Sequence, residues 1–286
     1  MALWHDKRGR FSTLRAVTLV VLIAPLLALI YFTLTHDLGA RPRTEAIHEV
    51  GLWGLRFLMA SLFITPLRRI GRYAMLIDAR RMIGVASALY MVLHFILYIV
   101  DETYDLGVVV SEIVLRIYLT IGFTAWLGIM VLGFTSNDYM VRQLGGLRWR
   151  NLHRLVYPIT MFSCVHYFMQ SKLQVFEPTW ISGIFVWLML YRFLHWRFPR
   201  QDEFPITVIA ASWFLVGALT FLFEALAFWI AFRAPPLMIL AADFNFRAGI
   251  RPGWYVWGVG LIVTAIGLVR LRPVGGSLKL APSRQA

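Results

Sequence analysis

His94, His153 and His166 lie in long apolar stretches of this chain, and histidine inside a membrane span is costly enough to mark a functional site. The stretch 149–170 is interpreted as one spanning helix, with His153 near one end, His166 near the other, and Pro158 expected to kink it between them. The thirteen residues between the histidines correspond to ~20 Å along a helix, most of a hydrocarbon core of ~30 Å. Two imidazoles at two depths of the membrane are the ligands needed to hold haem irons near its opposite faces.

The stretch 81–100 supplies a candidate partner histidine, His94. His94 lies thirteen residues beyond Arg81, as His166 lies thirteen beyond His153. If both helices enter the membrane from the same face, His94 and His166 are expected at similar depth, where they can ligate one haem from its two sides. Small residues surround His94 on this helix and suit either a flat macrocycle or ordinary helix packing; they are Gly84, Ser87 and Ala88.

The composition is that of a polytopic membrane protein. Hydrophobic residues make up 59% of the 286 residues and charged residues only 15%, against ~25% in an average soluble domain. Because several apolar runs reach the ~20 residues of a spanning helix, the sequence predicts an all-α bundle of eight transmembrane helices. The predicted spans are 14–34, 46–66, 81–100, 118–134, 152–170, 178–195, 206–232 and 252–271.

The net charge of +13 is attributed to membrane topology and not to nucleic-acid binding. Cations concentrate in alternate connections, and the positive-inside rule then puts those connections and both termini in the cytoplasm. The basic connections contain Lys7, Arg8, Arg10, Arg15, Arg68, Arg69, Arg72, Arg80, Arg81, Arg142, Arg148, Arg150, Arg154, Arg192, Arg197, Arg200, Arg270, Arg272, Lys279 and Arg284. The opposite connections hold fewer cations and a group of acids: Asp101, Glu102, Asp105 and Glu112.

A second haem, near the cytoplasmic face, would need a ligand besides His153. A two-haem arrangement with four histidines predicts one more histidine fourteen residues before His94, but that position holds Arg80. Arginine does not replace imidazole as an ordinary haem ligand, although its fork of donors can bind a propionate carboxylate. Arg80 and its neighbour Arg81 are therefore candidate propionate contacts, and the second ligand of an inner haem is left open.

Two further charged residues fall inside predicted spans, where charge is expensive unless it is paired. Arg56 has two candidate partners, a haem propionate and Glu49 two turns away. Glu224 is interpreted as a polar contact between helices, with membership of a proton or quinone site as the alternative.

Four segments give the chain a specific resemblance to the MsrQ family of haem-binding membrane subunits, formerly called YedZ. They are Leu55–Arg69, Leu76–Tyr98, Tyr118–Asn137 and Leu144–Tyr157. The spacing from His153 to His166 agrees as well, and arginine at position 80 is itself typical of that family. The resemblance covers about residues 10–200 and extends to the wider ferric-reductase and NADPH-oxidase-like membrane domains, which use four histidines.

The resemblance implies a function in electron transfer. Members of the family carry b-type haem and flavin mononucleotide (FMN) and lie in the bacterial inner membrane. They take electrons from the quinone pool or a cytoplasmic flavin reductase and pass them to MsrP, a periplasmic molybdopterin enzyme that repairs oxidised methionines in exported proteins. The implied haem ligands are His94, His153 and His166, with Arg80, Arg81 and Arg56 as candidate contacts of a haem propionate or a flavin phosphate.

The chain is expected to divide into a haem-binding core, residues 10–200, and a C-terminal extension, residues 201–286, with two further spans. The segment 233–252 of the extension is interpreted as a passive periplasmic connection. The extension is too short and too apolar for a domain that binds FAD or NADPH, which argues against a self-contained ferric reductase. The alternatives are electron transfer to another periplasmic acceptor and a non-redox transporter or assembly factor whose histidines are structural or bind a proton.

A cluster of arginines accompanies His153 on the predicted cytoplasmic side. It suits an anionic flavin phosphate or haem propionates, but the positive-inside rule alone also predicts it, so both interpretations stay open. Electrons are expected to enter on this side and to leave outward from the haem between His94 and His166. The cluster consists of Arg80, Arg81, Arg148, Arg150 and Arg154.

Overall fold

The computed structural model describes residues 4–5, 9–171, 174–201 and 203–271, and these residues form a bundle of α-helices. The predicted all-α membrane bundle is confirmed. In chain order the helices are α1 (Thr13–Leu34), α2 (Pro42–Ile70), α3 (Leu76–Asp101), α4 (Leu106–Leu115), α5 (Ile117–Phe134), α6 (Asp138–Leu144), α7 (Gly146–His153), α8 (Val156–Gln170), α9 (Phe176–Arg197), α10 (Ile206–Phe232), α11 (Pro236–Asp243), the 3-10 turn η1 (Phe246–Ala248) and α12 (Pro252–Leu271).

Within these described ranges, six helices are long and apolar enough to cross a membrane: α1, α2, α3, α5, α10 and α12. They coincide with six of the eight predicted spans. The other two predicted spans, 152–170 and 178–195, are helical over most of their length, but their helices are not both long enough and apolar enough to count as membrane spans. Helix α8 has only 15 residues, or ~22 Å of length, and α9 carries Glu177, Arg192 and Arg197. That both also cross the bilayer stays a prediction.

The prediction of one continuous helix through His153 and His166 is wrong. Helix α7 ends at His153, the chain turns at residues 154–155, and α8 begins at Val156. Pro158 is the physical reason, because proline lacks an N–H and its ring clashes with the carbonyl four residues earlier, that of Arg154. Proline is tolerated in the first turn of a helix, where its missing donor would be unpaired anyway, so the sequence starts a new helix instead of bending the old one.

Helix α2 is the central element of the bundle. In the most apolar 18-residue stretch of α2, 56% of the residues are buried, whereas the corresponding share for the peripheral helix α1 is 6%. Each of the three buried hydrophobic clusters includes residues of α2: Leu62 packs with α9, α10 and α12, Leu58 with α3, α5 and α8, and Phe57 with α1 and α3. One helix therefore ties the N-terminal part of the chain to its C-terminal extension.

Polar contacts sort the connections between helices onto two ends of the bundle. Arg72, between α2 and α3, pairs with Glu203, between α9 and α10, at 2.7 Å, and this hydrogen bond raises the pKa of the guanidinium. Arg81 of α3 pairs with Asp138 of α6 at 2.5 Å. We call the end that holds these two ion pairs the basic end, and the end that contains α4 the acidic end. The alternation agrees with an up-and-down path of the predicted spans.

Candidate haem site

His94 is fixed by a hydrogen bond to the backbone of a neighbouring helix. Its Nδ1 lies 2.8 Å from the carbonyl oxygen of Ile47, in the first turns of α2. A carbonyl oxygen only accepts hydrogen bonds, so Nδ1 carries the proton and donates it. Nε2 then keeps its lone pair, which is the tautomer that a metal ligand requires.

His166 repeats this arrangement on a second pair of helices. Its Nδ1 lies 2.8 Å from the carbonyl oxygen of Tyr118, in the first turn of α5, and its ring stacks on that of Tyr118 with centroids 6.3 Å apart. The same reasoning assigns the proton to Nδ1 and the lone pair to Nε2. Each candidate ligand is thus oriented by a main-chain carbonyl, the partner that commonly orients metal-bound histidines.

A glycine lies directly against each of the two imidazole rings. A Cβ atom at Gly51 of α2 would lie 2.7 Å from Nδ1 of His94, and one at Gly122 of α5 would lie 2.5 Å from Nδ1 of His166. No side chain fits at such distances, so glycine alone lets each ring approach its neighbouring helix this closely. The sequence analysis missed both glycines; a glycine within an apolar span, which permits close approach, is the signal that was available.

The packing of α3 on α5 brings His94 and His166, each with its carbonyl partner, to the same end of the bundle. The indole N–H of Trp126 on α5 donates to the carbonyl oxygen of Met91 on α3 at 2.9 Å. The ring of Phe95 packs against that of Trp126, with ring centroids 4.6 Å apart. His94 and His166 lie near enough to interact electrostatically. Both lie toward the acidic end, in the C-terminal halves of α3 and α8, as their matched depth predicted. That they ligate one iron stays a prediction.

The donor set fits haem iron. Within the described part of the chain, Nε2 of His94 and Nε2 of His166 have no hydrogen-bond partner, so each is available to a metal. Among those same residues no three His, Cys, Asp or Glu side chains come together as a cluster for a metal ion. Two neutral imidazoles, each with Nδ1 bound to a carbonyl, would be suitable ligands for a haem iron.

His153 has a different environment, toward the basic end. Its Nδ1 lies 3.1 Å from the carbonyl oxygen of Trp149, and its Nε2 lies 3.2 Å from the hydroxyl oxygen of Ser136. Its ring also stacks on Trp149 with centroids 3.9 Å apart. Both ring nitrogens are therefore engaged, and ligation by His153 would require loss of one of these hydrogen bonds.

Arg80 lies close to His153 and inside a group of cations that the sequence analysis did not assemble. It interacts electrostatically with Arg68 of α2, Arg192 of α9 and Tyr157 of α8, and with His153 itself. The guanidinium of Arg192 donates to two backbone carbonyls, and Nε of Arg68 is buried without a hydrogen-bond partner among the described residues. No carboxylate of the described chain pairs with these three arginines.

The other arginines of the predicted cluster face outward. Arg81 forms its ion pair with Asp138, and the guanidinium is about half exposed. Arg148, Arg150 and Arg154, on α7 and in the turn that follows it, are exposed. Of the predicted cluster, Arg80 is thus the member that lies within the bundle.

Arg56 is engaged by a partner that neither sequence proposal named. It forms an ion pair with Glu177 at the start of α9, and the hydroxyl of Tyr167 donates to the other oxygen of that carboxylate at 3.1 Å. The proposed partner Glu49 forms no such pair in the described chain, so that proposal is corrected. Sequence separation hid Glu177, which lies far along the chain but next to Arg56 in space.

Comparison with known proteins identifies the domain to which most of the site belongs. Residues 50–164 match the family model described as the ferric reductase like transmembrane component. This range contains Gly51, His94, Gly122 and His153, and it ends two residues before His166. None of the solved structures that were compared matches the chain.

Curated relatives give the family. Over 205 residues the chain is 34% identical to the "Protein-methionine-sulfoxide reductase heme-binding subunit MsrQ" of Herminiimonas arsenicoxydans, a match that covers 71% of this chain and 94% of that protein. Proteins of the same name from Rhodospirillum rubrum (38% identity; 66% of this chain, 88% of the relative) and Xanthomonas campestris pv. campestris strain B100 (39% identity; 54% and 71%) also match. The chain therefore belongs to the MsrQ family of haem-binding subunits of protein-methionine-sulfoxide reductase, and it carries a ferric-reductase-like membrane domain.

Proposed function

We propose that this protein holds b-type haem between His94 and His166 and conducts electrons across the bacterial inner membrane to a periplasmic molybdopterin methionine-sulfoxide reductase, MsrP. In this role it supports the repair of oxidised periplasmic proteins. One observation carries the proposal: two imidazoles at the same end of the bundle each have Nδ1 bound to a backbone carbonyl and Nε2 free. The names of the relatives support haem as the group that these nitrogens bind.

The chain's own residues orient the two imidazoles that are proposed to bind the cofactor. Nε2 of His94 and Nε2 of His166 would hold the haem iron, and the carbonyls of Ile47 and Tyr118 fix the rings and raise the basicity of these nitrogens. Aromatic side chains of α3 and α5 pack together near His94, with Phe95 in contact with Phe123 and Trp126, and give one side of the site an apolar lining. Haem, when bound, supplies a reversible one-electron couple, and the protein tunes its potential through these contacts.

We infer that the basic end receives the electrons. Arg68, Arg80 and Arg192 come together there without a paired carboxylate in the described residues. Buried cations without counter-charge are unfavourable, so the group suits an anionic moiety such as a haem propionate or the phosphate of FMN, bound through charge-assisted hydrogen bonds. His153 lies beside it as the candidate ligand of an inner haem. The donor is the quinone pool or a cytoplasmic flavin reductase, and the basic end, with both termini, faces the cytoplasm.

The test is the absorption spectrum of the purified full-length protein after reduction with dithionite. A sharp low-spin α band, with extraction of the pigment as protohaem, is the expected result. Colourless protein from cells with a full haem supply would contradict the proposal and favour a non-redox transporter or assembly factor. Reoxidation by purified MsrP, but not by a soluble ferric chelate, would separate the proposed acceptor from that of a ferric reductase.

Direction of transfer is tested with sided membrane vesicles. A membrane-impermeant oxidant should reoxidise the reduced haem faster in right-side-out vesicles, because His94 and His166 lie toward the acidic end, which is proposed to be periplasmic. Equal rates in both orientations, or faster reoxidation from the cytoplasmic face, would overturn the proposed direction.

A further inference from the structure

The C-terminal extension contains a buried ionic triad at the acidic end. Arg251, just before α12, pairs through Nη2 with Oε1 of Glu224 on α10, and its Nε lies 3.3 Å from Oδ1 of Asp243 at the end of α11. Glu224 and Asp243 are each only 1% exposed. The indole N–H of Trp254 donates to the backbone carbonyl of Asp243 at 2.8 Å, which ties α11 to α12. The segment interpreted from sequence as a passive connection therefore supplies two members of the triad.

Each carboxylate of the triad has one oxygen without a partner. Oε2 of Glu224 and Oδ2 of Asp243 are fully buried, and neither has a hydrogen-bond partner within the described part of the chain. A buried polar atom without a partner costs the protein its desolvation free energy. The cost is larger when the atom belongs to an ionised group.

The charges of the triad do not balance. Two ionised carboxylates and one guanidinium leave one net negative charge in a buried site. Among the described charged groups of α9 to α12, only Arg251 and Asp243 act electrostatically on Glu224. On the α9 side, the uncharged residue Gly183 packs against Thr220 of α10 and Val256 of α12. Burial raises the pKa of Asp243, and the charge of Arg251 opposes that rise.

We propose that the Glu224–Arg251–Asp243 triad is a proton-binding site, which holds a single proton on the unpartnered carboxyl oxygens. The proton neutralises the excess charge and converts one acceptor into a hydrogen-bond donor. A metal ion suits the site less well, because Ca²⁺ takes 6–8 oxygen ligands and Arg251 already occupies the other carboxylate oxygens. Loss of the proton leaves a buried negative charge, and the contact of α11 with α10 and α12 loosens.

The sign of the pH dependence follows from this arrangement. The folded triad binds its proton more tightly than the same carboxyls do in the unfolded chain, so stability is greatest at acid pH. It is lost as the pH rises through the folded pKa. The site therefore couples the packing of the extension to the pH of the compartment at the acidic end, whatever cofactor the core carries.

A chemical probe tests for the proton directly. Dicyclohexylcarbodiimide modifies protonated carboxyls in apolar surroundings, and peptide mass spectrometry of the full-length protein in nanodiscs locates the adduct. We expect modification of Glu224 or Asp243 at about pH 6 and at least about fivefold less at about pH 9. In Glu224→Gln the remaining Asp243 is neutralised by Arg251 alone and should escape modification, as should Glu224 in Asp243→Asn. Exposed Glu49 is the unmodified internal control.

The second measurement is thermal unfolding against pH, followed by tryptophan fluorescence. In the wild type the midpoint should fall as the pH rises, whereas Glu224→Gln and Asp243→Asn should flatten the profile; Glu203→Gln, which alters an exposed pair, is the matched control and should keep the wild-type slope. Modification of neither triad carboxyl at any pH, or undiminished modification of the remaining carboxyl in both single variants, would overturn the proposal. Parallel profiles in all four proteins would do so too, independently of any haem spectrum.

Discussion

The two ends of the bundle hold histidine in opposite ways. At the acidic end, His94 and His166 each use one ring nitrogen to bind a backbone carbonyl and leave the other nitrogen free. At the basic end, His153 has both ring nitrogens in hydrogen bonds and its ring stacked on Trp149. The comparison teaches that the state of the second nitrogen, and not position in an apolar stretch, separates a histidine that can bind a metal as it stands from one that must first give up a hydrogen bond.

The local sequence explains the difference. Each acidic-end histidine lies inside a helix and faces a glycine on the neighbouring helix, so its Nδ1 can reach a backbone carbonyl there while Nε2 stays free. His153 is the last residue of a helix of 8 residues, in which Trp149 lies one turn before it, and its Nε2 reaches the hydroxyl of Ser136 after α5. The four predictions that follow test this contrast, from the largest expected effect to the smallest.

The largest effect is expected from removal of either acidic-end ligand. His94→Ala and His166→Ala should each abolish the same low-spin haem signal, because loss of one axial ligand leaves a five-coordinate or empty site. His48→Ala is the matched control, since His48 lies at the same end but is exposed and bonds Gln170. Haem content per protein and the reduced spectrum are the measurements. An unchanged low-spin spectrum in either ligand variant would refute the pairing.

Added methyl groups at the two glycines should reduce haem binding in part. Gly51→Ala and Gly122→Ala place a Cβ within 2.7 and 2.5 Å of the ring nitrogen that binds the carbonyl, and such overpacking typically costs ~1–3 kcal/mol. The ring must shift, so both haem retention and the midpoint potential should change. Gly258→Ala in α12 is the control, because a Cβ there meets no atom within 4 Å and the position lies in the C-terminal extension, outside the proposed haem-binding core. Equal haem content in all three variants would show that the close contact is unimportant.

Substitution of His153 should leave the haem at the acidic end intact. His153→Ala removes the contacts with Trp149 and Ser136, and its effect should be confined to a cofactor or electron transfer at the basic end. Reduction by the physiological donor should slow, while the dithionite-reduced spectrum of the haem at the acidic end is unchanged. Ser136→Ala sharpens the test, because it frees Nε2 of His153 without removing the imidazole. Selective loss of the haem at the acidic end in His153→Ala would mean that the assignment of depth is mistaken.

The smallest effect on haem is expected from truncation after Arg200. The chain that remains holds every proposed haem ligand, although Trp187 loses its stack on Trp213 and its hydrogen bond to Ser212. In a bilayer the exposed apolar face of α9 meets lipid and not water, so little hydrophobic free energy is lost. The lost hydrogen bond is worth ~1 kcal/mol. A truncated protein that inserts but retains no haem would show that the extension completes the site.

Much of the fold could be predicted because hydrophobic length reports membrane helices directly. The depth of His94 and His166 follows from helix geometry and alternating topology, which are local properties. The break before α8 was harder, because a proline in an apolar stretch can either kink a helix or start a new one. Sequence alone does not decide between these outcomes.

The contacts that distinguish the histidines depend on tertiary structure and could not be predicted. The carbonyls of Ile47 and Tyr118 carry no sequence signal, since every residue has a carbonyl. The pairing of Arg56 with Glu177, and of Arg251 with both Glu224 and Asp243, joins residues that no local pattern connects. Composition was enough to identify a membrane protein, whereas the polar contacts in its interior depend on how the helices pack together.

The glycine contacts and carbonyl anchors at the acidic end have a kinetic consequence. An electron moves quickly between centres only when the atoms around each centre have little to rearrange as the charge changes. The rings of His94 and His166 each donate to a backbone carbonyl and lie against a glycine one turn further along the same neighbouring helix, which limits their rotation. If the two rings hold a haem iron as proposed, they would move little when that iron is oxidised or reduced. Rigid ligands of this kind would keep the reorganisation energy of the proposed centre small, so that electrons could both arrive and leave quickly.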